Sequence, residues 1–165
     1  MYAGSLALAL AAAPALAWPQ TLVGARGGVA LTGLDKVGPG PTAGVTASLA
    51  LNQQLALELA FDQSFHFLPR GTARYEVAGV GGQLRLDVAP AVPYLAVALQ
   101  ASRFSVAGVT AAIHFGGALA VGLLVPLGRR WYAGAEARYG TSLASGALPT
   151  SSAFTLSFGW RSGDF

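Results

Sequence analysis

The chain has no cysteine, one methionine, one lysine and two histidines among its 165 residues. Without thiols there is no disulfide framework, thiolate metal site or cysteine nucleophile. Two histidines make a poor metal site when the nearby carboxylates have arginines to pair with. Charge is scarce as well. Asp, Glu, Lys and Arg supply 10% of the residues, against about 25% in ordinary soluble domains. Hydrophobic residues supply 53%, so a conventional hydrated surface is hard to build. The net charge is +3 with an isoelectric point near 9.7, but the ten basic residues, nine of them Arg, are scattered. That excludes the basic stripe of a nucleic-acid binder. With Gly at 22 and Pro at 9, the composition suits neither a long-helix protein nor a disordered one. The length allows one domain, and the composition points to a membrane.

Residues 1–17 read MYAGSLALALAAAPALA, an apolar run ending in small residues at Ala15 and Ala17. This spacing suits a signal peptidase, so a signal peptide over 1–17 and a barrel domain over 18–165 are expected. No Lys or Arg precedes the run. The alternative is a membrane anchor, for which a proline-broken run of about 17 residues is short.

The remaining sequence is decided by its period, because only helices and closed barrels cross lipid with their backbone groups satisfied. In residues 55–62 the large apolar side chains take the odd positions, while Glu58 and Asp62 fall among the even ones. A strand sorts these onto opposite faces; a helix would scatter them. The same alternation runs through Leu84, Leu86 and Val88, through Leu95, Val97 and Leu99, and through Phe154, Leu156, Phe158 and Trp160. Residues 111–127 are ambiguous with a short hydrophobic helix, against which their glycines and Pro126 argue. Eight spans follow, about 20–32, 43–51, 54–65, 74–88, 93–104, 109–125, 131–141 and 152–161. Short connections after the even spans face longer ones at 33–42, 66–73 and 142–151; residues 105–108 are short by exception. That is the asymmetry of a bacterial outer-membrane barrel with periplasmic turns.

On these features, and on the closing strand Phe154–Arg161 with Phe165 at the end, the chain resembles the small eight-stranded outer-membrane barrels, the OmpA-like and OmpX-like families. The resemblance implies an all-β, antiparallel, up-and-down transmembrane barrel. It also implies that Phe158, Trp160 and Phe165 form the signal read by the barrel-assembly machinery, although Phe165 has the opposite parity to Trp160. Lumenal ion pairs occur in that family.

Strand parity assigns Arg26, Glu58, Asp62, Arg85, Asp87, His114, Glu136, Arg138 and Arg161 to the inner face. An eight-stranded barrel leaves only side-chain width inside. Four arginines against four carboxylates form a balanced set, as burial requires, and Arg suits it because its planar fork bridges two carboxylates. These residues read as a structural ion-pair plug or, alternatively, as a gate. Trp18, Phe65, Phe67, Tyr75, Tyr94, Phe104, Trp131, Tyr132, Tyr139 and Trp160 lie near span ends and are expected at the membrane interface. Arg70, Arg74 and Arg103 are expected at the outer rim, either solvated or facing lipopolysaccharide phosphates.

Two small-barrel families are enzymes acting on lipid A, which requires a search for a serine hydrolase constellation. His114 has no Ser two positions on; the row Asp62, Ser64 and His66 is the sole candidate, with an order and spacing unlike the deacylase motif. Glycines such as Gly24, Gly81 and Gly116 sit within strands and do not form a phosphate loop. The expected protein is a non-enzymatic outer-membrane barrel of a Gram-negative bacterium, monomeric, without cofactor or nucleic-acid partner, in contact with outer-membrane lipid. A narrow channel and a lipid A-modifying enzyme are the alternatives.

Overall fold

A computed structural model describes residues 20–33, 37–69, 71–86, 90–106, 112–143 and 150–162. Eight strands follow in chain order: β1 Thr21–Thr32, β2 Gly40–Ala50, β3 Leu55–Leu68, β4 Gly71–Arg85, β5 Val92–Val106, β6 Ile113–Leu127, β7 Trp131–Ser142 and β8 Ser151–Arg161. Each pairs antiparallel with its sequence neighbour, and β1 pairs with β8 from Leu22↔Arg161 to Thr32↔Ser151, which closes the barrel. Among the described residues no helix is long and apolar enough to cross a membrane. The ambiguous stretch from Ile113 is strand throughout.

The period-two pattern translates directly into two faces. Leu57, Leu59, Val97, Leu99, Leu119, Val121, Phe154 and Leu156 all point outward and are exposed, while Ala56, Ala60, Ala96, Ala118 and Ala120 are buried inside. An apolar exterior around a small and polar interior inverts a soluble protein, and only lipid makes such a surface stable.

The ends of the barrel differ. Strand termini 20–21 and 161–162 lie with the connections 51–54, 86–91 and 128–130; the opposite end carries 33–39, 69–70, 107–112 and 143–150. One expected loop is absent. Residues 66–73 are not a long connection, because β3 runs to Leu68 and β4 starts at Gly71. Ladder pairs continue through His66↔Ala73 to Leu68↔Gly71, and Gly71 takes a positive φ of 135° that closes the tight turn. β4 ends at Arg85, and Asp87 and Val88, expected within the fourth span, lie outside the described residues.

Four expected interface aromatics also face the other way. Tyr75, Tyr94 and Tyr132 are buried in the lumen, and Phe104 faces inward beside Tyr75. Phe65, Trp131, Tyr139 and Trp160 do face outward, and Trp131 stacks on Phe158 at 5.3 Å between ring centroids. The inward tyrosines need room within a narrow barrel, and cross-strand glycines provide it. Tyr94 lies over its partner Gly122, and Tyr132 over Gly159 and Gly24, so a Cβ at any of these glycines would run into a ring. Together with Leu22, Val92, Ala96, Ala120 and Leu124, these two rings pack the end of the lumen nearest the termini.

The two-faced wall carries a test. Leu59 is 60% exposed, so in a soluble protein Leu59→Arg would be close to neutral; on a lipid-facing wall it is expected to cost about 2–4 kcal/mol. Urea unfolding of the variant from lipid vesicles measures it.

Candidate functional site: the lumenal charge network

The site is built from strands on opposite walls. Alternation places Arg26 of β1, Glu58 and Asp62 of β3, and Glu136 and Arg138 of β7 on the inner face. Their reach across the lumen does the rest. Arg26 holds Asp62 with both arms of its fork, one of them an Nε donor 2.6 Å from Oδ1, and its Nη1 donates to Glu136 Oε1 at 3.1 Å. Arg138 donates from Nε to the same Glu136 oxygen at 2.9 Å and from Nη2 to Glu58 Oε1 at 2.5 Å. Tyr94 closes the remaining side of Glu136, its hydroxyl donating to Oε2 at 2.7 Å.

A second layer lies toward the termini. Gln83 donates to Glu58 and accepts from Arg85 Nε at 3.2 Å, while Arg85 Nη2 donates to Ser48 Oγ at 2.7 Å. Three arginines, Arg26, Arg85 and Arg138, thus stand among three carboxylates, Glu58, Asp62 and Glu136. Each carboxylate receives charge-assisted hydrogen bonds, so their burial is compensated. The side chains of Arg26, Glu58, Glu136 and Arg138 retain 4–10% of their exposure. The cavities left beside them, one against Glu58, Gly81, Ala98 and Arg138 and the other among Arg26, Ser48, Tyr94 and Tyr132, have room for about one or two waters.

Other expected inner residues lie elsewhere. Arg161 faces inward at the strand end, where Nη2 donates to the carbonyl of Gly128 at 2.7 Å, across the turn that Gly128 makes with a positive φ of 74°. His114 faces inward at the far end, its backbone paired with Ser102. Asp62, Ser64 and His66 share the inner face of β3 but do not form a triad, because Asp62 is committed to Arg26. His66 is fully buried. Its Nδ1 lies 3.0 Å from the Gly38 carbonyl oxygen, which can only accept, so Nδ1 carries the proton and Nε2 accepts from Ser64 Oγ at 2.9 Å. Among the described residues no group of His, Asp and Glu is arranged to hold a metal ion.

Sequence reasoning missed Gln83, Ser48 and Tyr94 as members of the network. All three share parity with inward residues: Gln83 with Arg85, Tyr94 with Ala96, and Ser48 opposite Glu58. Phe158 and Trp160 face outward near the end of β8, while Phe165 and Trp18 lie outside the described residues.

A closed antiparallel barrel of eight strands, with an apolar outer wall and a polar, ion-paired interior, defines the class of small transmembrane β-barrels. The chain belongs to the outer membrane protein beta-barrel domain family, whose model matches residues 3–161, and this places it in the outer membrane of a Gram-negative bacterium. Among solved structures it is similar to Neisserial surface protein A, with a TM-score of 0.66 and 18% identity over 88% of this chain and 97% of that one. It is also similar to the N-terminal barrel domain of OprF from Pseudomonas aeruginosa (TM-score 0.64, 11% identity, 88% of this chain and 100% of that one). Ail, the attachment invasion locus protein of Yersinia pestis, matches with a TM-score of 0.63 and 13% identity over 88% of this chain and 100% of that one. At these identities the likeness is one of fold. No curated protein matches the chain.

The network's weight can be measured. Arg138→Met leaves Glu58 and Glu136 short of a cation and is expected to cost about 3–5 kcal/mol. Adding Glu136→Gln rebalances the lumen and is expected to recover more than half of that loss, read as urea midpoints in detergent micelles.

Proposed function

We propose that this protein is a non-enzymatic integral outer-membrane barrel whose lumen is filled by side chains and whose work is structural, with a modest binding role for its loops. The observation that carries this reading is the ion-paired layer reaching from Arg26 and Asp62 through Glu136 to Arg138 and Glu58. A conducting path would have to part these ion pairs, each member of which is already hydrogen-bonded. The connections at the end opposite the termini span at most eight residues, which supports a small contact surface over a large adhesive one.

An enzymatic reading would rest on Ser64 and His66. Their hydrogen bond has the tautomer of a nucleophile and its base, but Ser64 is 3% exposed and His66 is sealed within the barrel. A lipid substrate would approach from the outer wall, on the opposite face of β3. The buried pair is better explained as an anchor for the Gly38 carbonyl of the β1–β2 connection. Export through a signal peptide cleaved after Ala17, recognition of Phe158 and Trp160 by the assembly machinery, and a monomeric state in contact with outer-membrane lipid belong to the same reading. It includes no cofactor.

Planar bilayer recordings of the refolded protein test it. Discrete ohmic openings are not expected, and steady conductance that increases in Arg138→Met would replace the structural reading with a channel. For the enzymatic alternative, His66→Ala is expected to leave the lipid A mass spectrum of the host unchanged.

A further inference from the structure

Among the described residues the outer wall carries charge in one sector alone. Across β3, β4 and β5, Gln63 pairs with Glu76 and Glu76 with Arg103; one row farther from the termini, Phe65 pairs with Arg74 and Arg74 with Ser105. Among the described residues, Arg74, Glu76 and Arg103 are the only charged side chains on the outward face of any strand. Their height is fixed by register. The row Leu55, Leu84 and Leu95 lies eight residues below the row Gln63, Glu76 and Arg103. At about 3.3 Å per residue and a tilt near 40°, eight residues climb about 20 Å, against an apolar band about 25 Å tall. The charges therefore stand at the upper edge of the band, where lipid headgroups begin, on the side away from the periplasmic turns.

The sector sets two arginines against one carboxylate, so it stays net cationic. Arg74 pairs with Glu76, and its Nη2 also lies 3.4 Å from Gln63 Oε1, yet half of its side chain remains exposed. Arg103 is exposed and forms no salt bridge among the described residues. Beside the arginines the wall turns apolar again, with Phe65 at 44% and Phe67 at 66% exposure. A solvated rim would leave those two rings in water at the level of the guanidinium groups. An amphiphile with an anionic head satisfies the arginines and the nearer ring together: its head receives the planar N–H forks of Arg74 and Arg103 beside Phe65, and its acyl chain runs down over Phe61 on β3.

We infer that Arg74 and Arg103, flanked by Phe65, form a seat for the phosphate headgroup of one outer-leaflet lipid. The inference rests on the transmembrane reading of the barrel. Folding is therefore checked separately by the heat-dependent gel shift of every variant, so that loss of the barrel and loss of the seat are distinguishable.

Native mass spectrometry of the folded protein in detergent, titrated with bisphosphorylated lipid A, tests it. One tightly held lipid per barrel is expected. Arg74→Gln with Arg103→Gln is expected to weaken it about tenfold, the loss of one to two charge-assisted hydrogen bonds. Glu76→Gln, which removes the competing carboxylate, is expected to tighten it, an effect that a merely structural role for the pair would not give. Phosphatidylcholine is expected to bind more weakly and equally to all variants. Equal lipid A binding by the parent and the folded double variant overturns the seat. Displacement of lipid A by inorganic phosphate at equal concentration keeps the anion site but overturns a lipid as its occupant.

Discussion

Everything in this molecule depends on the hydrogen-bonded seam between β1 and β8. In hydrocarbon each unpaired backbone group costs several kcal/mol, and a sheet with two free edges would expose a full row of them on each. Pairing Leu22 through Thr32 with Arg161 back to Ser151 removes both edges at once. Closure then sorts the side chains. Whatever sits on one parity must suit lipid, and whatever sits on the other must fit a lumen only a few side chains wide.

That second demand accounts for the make-up of the interior. The lumen cannot be lined by leucine throughout, because eight strands of large side chains would not close. It is lined largely by Ala and Gly with a few long polar side chains reaching inward, and these must meet partners because water is scarce. Arg26, Glu58, Asp62, Glu136 and Arg138 do so across the full width of the barrel, from β1 to β3 and β7. Sequence-distant residues thus become one electrostatic unit, and Arg85 in the adjoining layer, joined to Glu58 through Gln83, brings its formal charge to zero.

Much of this was legible in the amino-acid order. Alternation in residues 55–62 and 154–161 disclosed the strands, and parity alone put Arg26, Glu58 and Arg138 on the inside. What failed was reasoning by residue type. Tyr75, Tyr94, Phe104 and Tyr132 lie near strand ends, where aromatic rings gather at interfaces, but each shares its parity with inward neighbours: Tyr94 with Ala96, and Tyr132 with Glu136. Parity was the stronger signal because it is set by the backbone, whereas the aromatic preference yields to it, with a glycine opposite making the room at Tyr94 and Tyr132. The 66–73 hairpin was hidden for a related reason, since Pro69 and Gly71 read as the heart of a loop but form only its tip. Which arginine meets which carboxylate was not legible at all. Partner choice depends on register between strands far apart in the chain, and no local spacing encodes it.

Tyr132 sits where three strands meet, its ring resting on Gly159 of β8 and Gly24 of β1. A slip of β8 by two residues would keep every side chain on its proper face and every backbone bond available, so neither amphipathicity nor the ladder distinguishes it from the native register. It would, however, bring Ser157 or Arg161 under the ring, where only a residue without a side chain fits. The tyrosine thereby acts as a gauge on the joint that closes the barrel, which shuts flush in a single alignment of its first and final strands.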